Sequence, residues 1–230
     1  MKNLQVIALG ALIILGLSGC EKLKVQNDAS ADVFVKAIID DQGTTVYALI
    51  HSVFSYNLMA SVSVKSPDGS TMQLTDFEDS GNSFYNEPDE TDYLTTPPEA
   101  GTYTYTVKFD DGEEKTFTNS LSASLLAPAN ITSLAKSANG DSVYIKWDAI
   151  INTHAYQLKI MNGATQVFYQ PAFADNSVPL KTSLKLGFLL NNLTASGLGT
   201  YTFELSGLLF ETTAYDYIQA ISTSKKDIGL

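Results

Sequence analysis

The sequence predicts an all-β protein: two tandem antiparallel β-sandwich domains behind a short N-terminal leader. Three observations carry this. From Asp32 onward the hydrophobic pattern has period two, and helical periodicity is never sustained. The alternating runs are bounded at even spacing by clusters of Pro, Gly, Asp and Asn, which is how a sandwich is punctuated. Finally, Gly101-Thr102-Tyr103-Thr104 recurs 98 residues later as Gly199-Thr200-Tyr201-Thr202, and Val46-Tyr47 recurs 97 residues later as Val143-Tyr144. Two matches at nearly one offset suggest two copies of a domain of about 100 residues.

The leader comes first. Lys2 gives a short positive region, and Val6 to Leu17 gives an apolar run too short to span a bilayer. An apolar core of this length followed by small residues has the anatomy of a secretory signal peptide. Its end, Leu17-Ser18-Gly19-Cys20, resembles the bacterial lipobox. That resemblance implies cleavage after residue 19 and an N-terminal Cys20 carrying a diacylglyceryl thioether and an N-acyl chain such as palmitate. Several acyl chains together anchor durably where one is marginal. Cys20 is the one Cys in the chain, so no disulfide is available and stability must come from packing. Glu21 stands where an Asp would resemble an inner-membrane retention signal, so the expected address is the outer membrane of a Gram-negative-type envelope; the face, periplasmic or external, stays open. Residues 20–31, polar after the Cys, read as a tether.

The first domain is expected over residues 32–125. Its plainest strand is Tyr103 to Phe109, where aromatic and apolar residues alternate with Thr and Lys. It runs into Asp110-Asp111-Gly112, a strong signal for a tight hairpin. Val62 and Val64 alternate with Ser before Ser66-Pro67-Asp68-Gly69, a chain-reversing turn. The boundary is expected near Leu126-Ala127-Pro128-Ala129-Asn130.

The second domain, residues 126–230, repeats the pattern. Val143, Ile145 and Trp147 alternate with Tyr144, Lys146 and Asp148; Tyr156, Leu158 and Ile160 follow, and then Tyr201, Phe203 and Leu205. From Pro128 to about Ser224 this half resembles a fibronectin type III domain, with Val143 to Trp147 at that family's second-strand Trp and Tyr156 to Ile160 at its third strand. Leu193 and Tyr201 lie near its Leu-loop-Tyr corner at a longer spacing than usual. The first half resembles immunoglobulin-like domains more loosely. These motifs imply a fold and no reaction.

Composition excludes some partners. With 14 Lys+Arg against 25 Asp+Glu the formal charge is −11, and the basic residues are scattered, so nucleic acid is not an expected partner. Hydrophobic residues at 44% supply a core, which argues against disorder. The two His residues, His51 and His154, fall in different domains, and no G-x-S-x-G elbow or phosphate loop is present. The expectation is a non-enzymatic protein, with hydrolysis by paired carboxylates as the remaining catalytic alternative.

The most unusual segment is Phe77 to Tyr93, rich in acids, Asn and aromatics. Phe84, Tyr85, Asn86 and Tyr93 are the candidate ligand-binding residues: rings offer stacking faces to sugars and Asn can bond their hydroxyls. The alternative is that the same rings pin a solvated loop to the sandwich. Asp79, Glu87, Asp89 and Asp92 are candidate calcium ligands, as hard oxygen donors without the ordered spacing of a calcium loop; a solvated acidic loop is the alternative. No other cofactor is expected. Asp141-Ser142-Val143 resembles a short O-glycosylation acceptor pattern, which makes Ser142 a candidate. The chain is similar in plan to accessory glycan-binding lipoproteins of saccharide-uptake systems. The expected function is thus a binding module, with polysaccharide or an envelope protein as partner; the alternative is a structural spacer or assembly scaffold.

Overall fold

The computed structural model describes residues 26–138, 142–173, 183–186, 199–212 and 216–229. Cys20, the leader and Leu193 lie outside them. In the first half the strands are β1 (Ser30–Ile39), β2 (Thr45–Phe54), β3 (Met59–Lys65), β4 (Thr71–Gln73), β5 (Thr75–Asp76), β6 (Ser83–Asn86), β7 (Gly101–Phe109) and β8 (Glu114–Leu121). The second half holds β9 (Ser133–Lys136), β10 (Val143–Lys146), β11 (Ala155–Asn162), β12 (Thr165–Phe173), β13 (Ser183–Leu186), β14 (Thr200–Phe210) and β15 (Ile218–Gly229). The protein is all-β, with two sandwiches.

In the first sandwich, β1, β2, β6 and β5 face a sheet ordered β4-β3-β7-β8. This is the partition of an immunoglobulin-like domain. Alternation decides which side chains meet between the sheets: Val33 and Val35 from β1, Val53 from β2, and Tyr103, Tyr105, Val107 and Phe109 from β7 are all buried in one cluster. The predicted β7–β8 hairpin forms with Gly112 at φ 86°, a left-handed conformation that suits glycine, and its N–H donates to Phe109 O at 2.9 Å. In the second sandwich the sheet β13-β10-β9 faces β12, β11, β14 and β15 around Trp147, Tyr156, Leu158, Tyr201 and Phe203. Trp147 packs edge-on to Tyr156 at 5.2 Å between ring centroids.

The two halves share a sheet. Its order is β12-β11-β14-β15-β1-β2-β6-β5, and the β15–β1 pairing at its centre is parallel, whereas every other ladder among the described residues is antiparallel. Val35 pairs with Ala220, and these two belong to different cores on the same face of the sheet. One eight-stranded sheet therefore carries two smaller sheets side by side. Small residues, Ala37 opposite Ser222, floor the seam between them, and both are buried. The expected interdomain linker packs there: Leu126 and Ala129 are buried, and Ser224 Oγ donates to Ala129 O. A bulge after Leu209 turns Gln219 toward β8, where its amide accepts from Ser122 N–H at 3.2 Å and donates to Ser122 O at 3.3 Å.

Candidate functional site

The Phe77 to Tyr93 segment does not present its rings as one ligand site. Phe84 faces inward from β6 and is buried in the first core. Tyr93 is buried with Ile38, Val46 and Ala48 on the outer face of the large sheet. Its hydroxyl donates to Glu87 Oε1 at 2.7 Å, Tyr85 donates to Glu87 Oε2 at 2.7 Å, and Lys36 Nζ lies 2.6 Å from Oε1. One carboxylate thus ties three groups, and the segment is pinned across β1 and β2. Burial alone pushes the Glu87 carboxyl up, but the bonds from Lys36, Tyr85 and Tyr93 outweigh it, so the group sits below the usual carboxylate range. The same burial and the neighbouring carboxylate push both tyrosine hydroxyls up. Asn86 lies on β6 opposite His51. Of the four candidates, Phe84 and Tyr93 are buried and Tyr85 and Asn86 are half-buried.

The four calcium candidates are not brought together as one cluster. Among the described residues no group of three or more His, Cys, Asp or Glu is placed to hold a metal. Glu87 is spent on Lys36 and the tyrosines, Asp79 ends the 3-10 turn Phe77–Asp79, and Asp89 and Asp92 flank or end the turn Glu90–Asp92 with exposed side chains. The Ser142 candidate occupies a closed position. Ser142 is fully buried where β10 begins, with its N–H on Ser137 Oγ at 3.1 Å and its carbonyl accepting from Ser137 N–H, so the folded chain does not offer it to a modifying enzyme.

The structure assembles a different aromatic surface. On β2, Val53 faces the core, so its neighbours Ser52 and Phe54 face out. Phe54 pairs with Ser83 and Ser52 with Tyr85, which makes Phe54 and Tyr85 diagonal neighbours on the outer face, about 7–8 Å apart. Tyr56, in the following turn, meets Phe54 edge-on at 5.1 Å, and Phe77 meets Tyr85 edge-on at 6.2 Å. Phe54, Tyr56 and Phe77 are 44%, 92% and 50% exposed. The result is a strip, Tyr56-Phe54-Tyr85-Phe77, with the hydroxyls of Ser52 and Ser83 on the same face. The sequence held one signal for it: Tyr56 stands between Ser55 and Asn57, an aromatic residue in a polar turn, where no core can claim it.

The chain entering β1 is fixed at the Tyr56 end. Asn27 is buried, and its amide nitrogen donates to Asp111 Oδ2 at 2.9 Å and Glu113 Oε2 at 2.8 Å. Its side-chain oxygen accepts from Asn57 at 2.6 Å, and its carbonyl accepts from Lys115 Nζ. The segment read as a tether is therefore bound from Asn27 onward. One cleft lies at the opposite end and a second beside the middle of β2. Where β1 stops at Ile39 and β15 runs on to Gly229, the sheet opens into a cleft of about 1040 Å³ that includes Tyr93, Asn130, Glu90 and Lys225, the last two paired at 2.7 Å. The second cleft, about 460 Å³, opens between β2 and the Thr96 to Glu99 segment.

His51 forms part of the floor of that second cleft and is 1% exposed. Its Nδ1 lies 2.9 Å from Tyr105 Oη, and its ring leans on Tyr103 and Tyr105 at 5.4 and 5.8 Å. Burial pushes its pKa down to about 4, so the imidazole is neutral at pH 7. His154 is separate: its Nδ1 accepts from Phe210 N–H at 3.2 Å and its ring stacks on Phe210.

No protein-family model matches the sequence, and no curated protein does. Solved structures do resemble it. The FN1–FN3 domains of chicken CNTN1 align at 13% identity and a TM-score of 0.34, covering 86% of this chain and 65% of that one, so the chain spans less than two thirds of that structure. A two-domain fibronectin type III segment of chicken tenascin aligns at 14% identity and a TM-score of 0.30, covering 89% and 100%. A Bacteroides uniformis protein provisionally described as carbohydrate binding aligns at 14% identity and a TM-score of 0.31, covering 86% and 99%. The chemistry of the site is accordingly read from this chain's own residues.

Proposed function

We propose that this protein is a lipid-anchored, non-catalytic binding module of the outer membrane that holds polysaccharide on the strip Tyr56-Phe54-Tyr85-Phe77. The single observation that carries the reading is the exposure of Phe54, Tyr56 and Phe77 in one row with the half-buried Tyr85. Exposed rings beside hydroxyls offer apolar faces and hydrogen-bonding groups to the alternating apolar faces and hydroxyls of a sugar chain. Exposed aromatic surface of this extent is also costly to leave facing water without a partner. The lipid anchor rests on Leu17 to Cys20, and Asn27, seven residues further on, brings the strip's Tyr56 end within about 25 Å of an anchored Cys20.

The test is native electrophoresis through gels containing a panel of polysaccharides. One glycan should retard the protein, and Phe54→Ala and Phe77→Ala should each restore most of its mobility without altering the melting temperature. Equal mobility in every gel overturns the reading. A second reading, a rigid spacer for another envelope protein, is favoured by the continuous eight-stranded sheet that joins the halves. Crosslinking in membranes separates the two, since a spacer gives one defined protein product.

A further inference from the structure

His51, which lines the second cleft, carries a buried polar atom without a partner, and the hydrogen-bond network around it dictates what that atom can do. Tyr105 Oη lies 3.0 Å from the carbonyl oxygen of Asp32, which can only accept, so the single tyrosine proton points there. Toward His51 the same oxygen must then accept, which places the imidazole proton on Nδ1. A neutral ring with its proton on Nδ1 leaves a bare lone pair on Nε2. That atom is buried and has no hydrogen-bond partner. His51 is among the residues that line the cleft and Tyr105 is not.

The rest of the cleft limits the ligand. Its walls are apolar, with Leu49, Met72, Leu94, Pro97 and Pro98 among them. The charged lining residues are Asp68, Asp92 and Glu99, with no Lys or Arg, which disfavours anions. The size suits a compact molecule, since ligand sites run from about 300 Å³ upward. Tyr103, beside His51, spends its hydroxyl on Glu99 O at 2.8 Å, so it holds the loop that roofs the cleft and does not compete for the ligand.

We infer that this cleft binds a small, non-anionic molecule with an apolar body and one O–H or N–H donor, which His51 Nε2 accepts; phenol is the simplest probe of that chemistry. The inference is independent of the sugar strip, because His51 turns to the inner face of the sheet, against Tyr103 and Tyr105, while Phe54, three residues and about 10 Å further along β2, turns to the outer face. An unpaired buried acceptor makes the site selective: a ligand that donates gains its bond, and one that cannot leaves the acceptor unmet.

The experiment uses the full chain in mild detergent with ¹⁵N-labelled histidine, titrated with phenol and, separately, with benzene. The His51 Nε2 resonance should move saturably with phenol, benzene should bind at least tenfold more weakly, and Phe54→Ala should change neither. Met72→Trp, which fills the cleft from its wall, should abolish the phenol shift. Equal binding of phenol and benzene overturns the inference, as does an Nε2 resonance that phenol leaves unmoved, which would mean that water alone satisfies the acceptor. Should Met72→Trp fail to fold, the phenol and benzene comparison on the unaltered chain still decides.

Discussion

Val35 of the first strand and Ala220 of the last stand side by side in parallel register, and through this pair each sandwich extends the sheet of the other. The consequence is mechanical. Four backbone pairs, Val35 to Ile38 against Ala220 to Thr223, together with the packed Leu126–Ala129 segment, couple two cores that would otherwise be joined by a linker alone.

The halves should therefore unfold together. Calorimetry is expected to show one transition with matching calorimetric and van't Hoff enthalpies. Gln219→Ala removes both bonds to Ser122 and should cost about 1–2 kcal/mol. Two well-separated transitions in the unaltered chain would mean that the seam carries little energy.

Glu87 locks the outer face. Glu87→Ala strands Lys36, Tyr85 and Tyr93 in a half-buried setting and should destabilise by about 2–4 kcal/mol. The double change Glu87→Gln with Lys36→Met should recover part of that loss, because it removes the stranded charge. Urea denaturation measures both, and a Glu87→Ala variant as stable as the parent would show that the network contributes nothing.

Two buried titrations oppose each other. His51, held down to about 4 by burial, is stabilising when neutral: its contribution is complete above its ordinary 6.5 and is lost as pH falls toward 4. Asp32 is pushed up to about 6, chiefly by burial and further by Glu211, against the N–H groups of Ile218 and Val33, and its Oδ1 has no partner. Its folded pKa is raised, so its contribution is complete below 3.8 and is lost as pH rises through 6. Each shift corresponds to roughly 3 kcal/mol, with opposite sign. Asp32→Asn should accordingly stabilise the protein by about 1–3 kcal/mol at pH 7 and leave it unchanged near pH 4. A larger gain at pH 4 than at pH 7 would reverse the assignment.

What the sequence made legible was local. The alternation of Tyr103 to Phe109 and the Asp-Gly turn after it appear as written, because strand phase and turn chemistry are decided within a few residues. The β1–β15 seam was not legible, since nothing in residues 30–39 names a partner at residues 218–229. Phe84 and Tyr93 illustrate the limit for sites: an aromatic-rich loop reads alike whether its rings face solvent or core, and only packing decides. Phe54 was hidden for a related reason. β2 buries Val46, Ala48 and Ile50 on one face and Val53 on the other, so its phase is ambiguous from sequence.

Cys20→Ala tests the anchor. The variant precursor should remain uncleaved by the lipoprotein signal peptidase and take up no radiolabelled palmitate in growing cells. A labelled Cys20→Ala protein would remove the anchor from the proposal and leave the binding surfaces untouched.

The central claim is that a row of four rings holds a sugar chain, and titration calorimetry with oligosaccharides of increasing length, drawn from whichever polysaccharide retards the protein, tests it most directly. A strip of this extent predicts that affinity rises with each added sugar and then levels off at about three to four units, with Phe54→Ala lowering the plateau about tenfold, as the loss of roughly 1.4 kcal/mol would. A monosaccharide that binds as tightly as the longer chains, or a plateau that Phe54→Ala leaves unchanged, would contradict it.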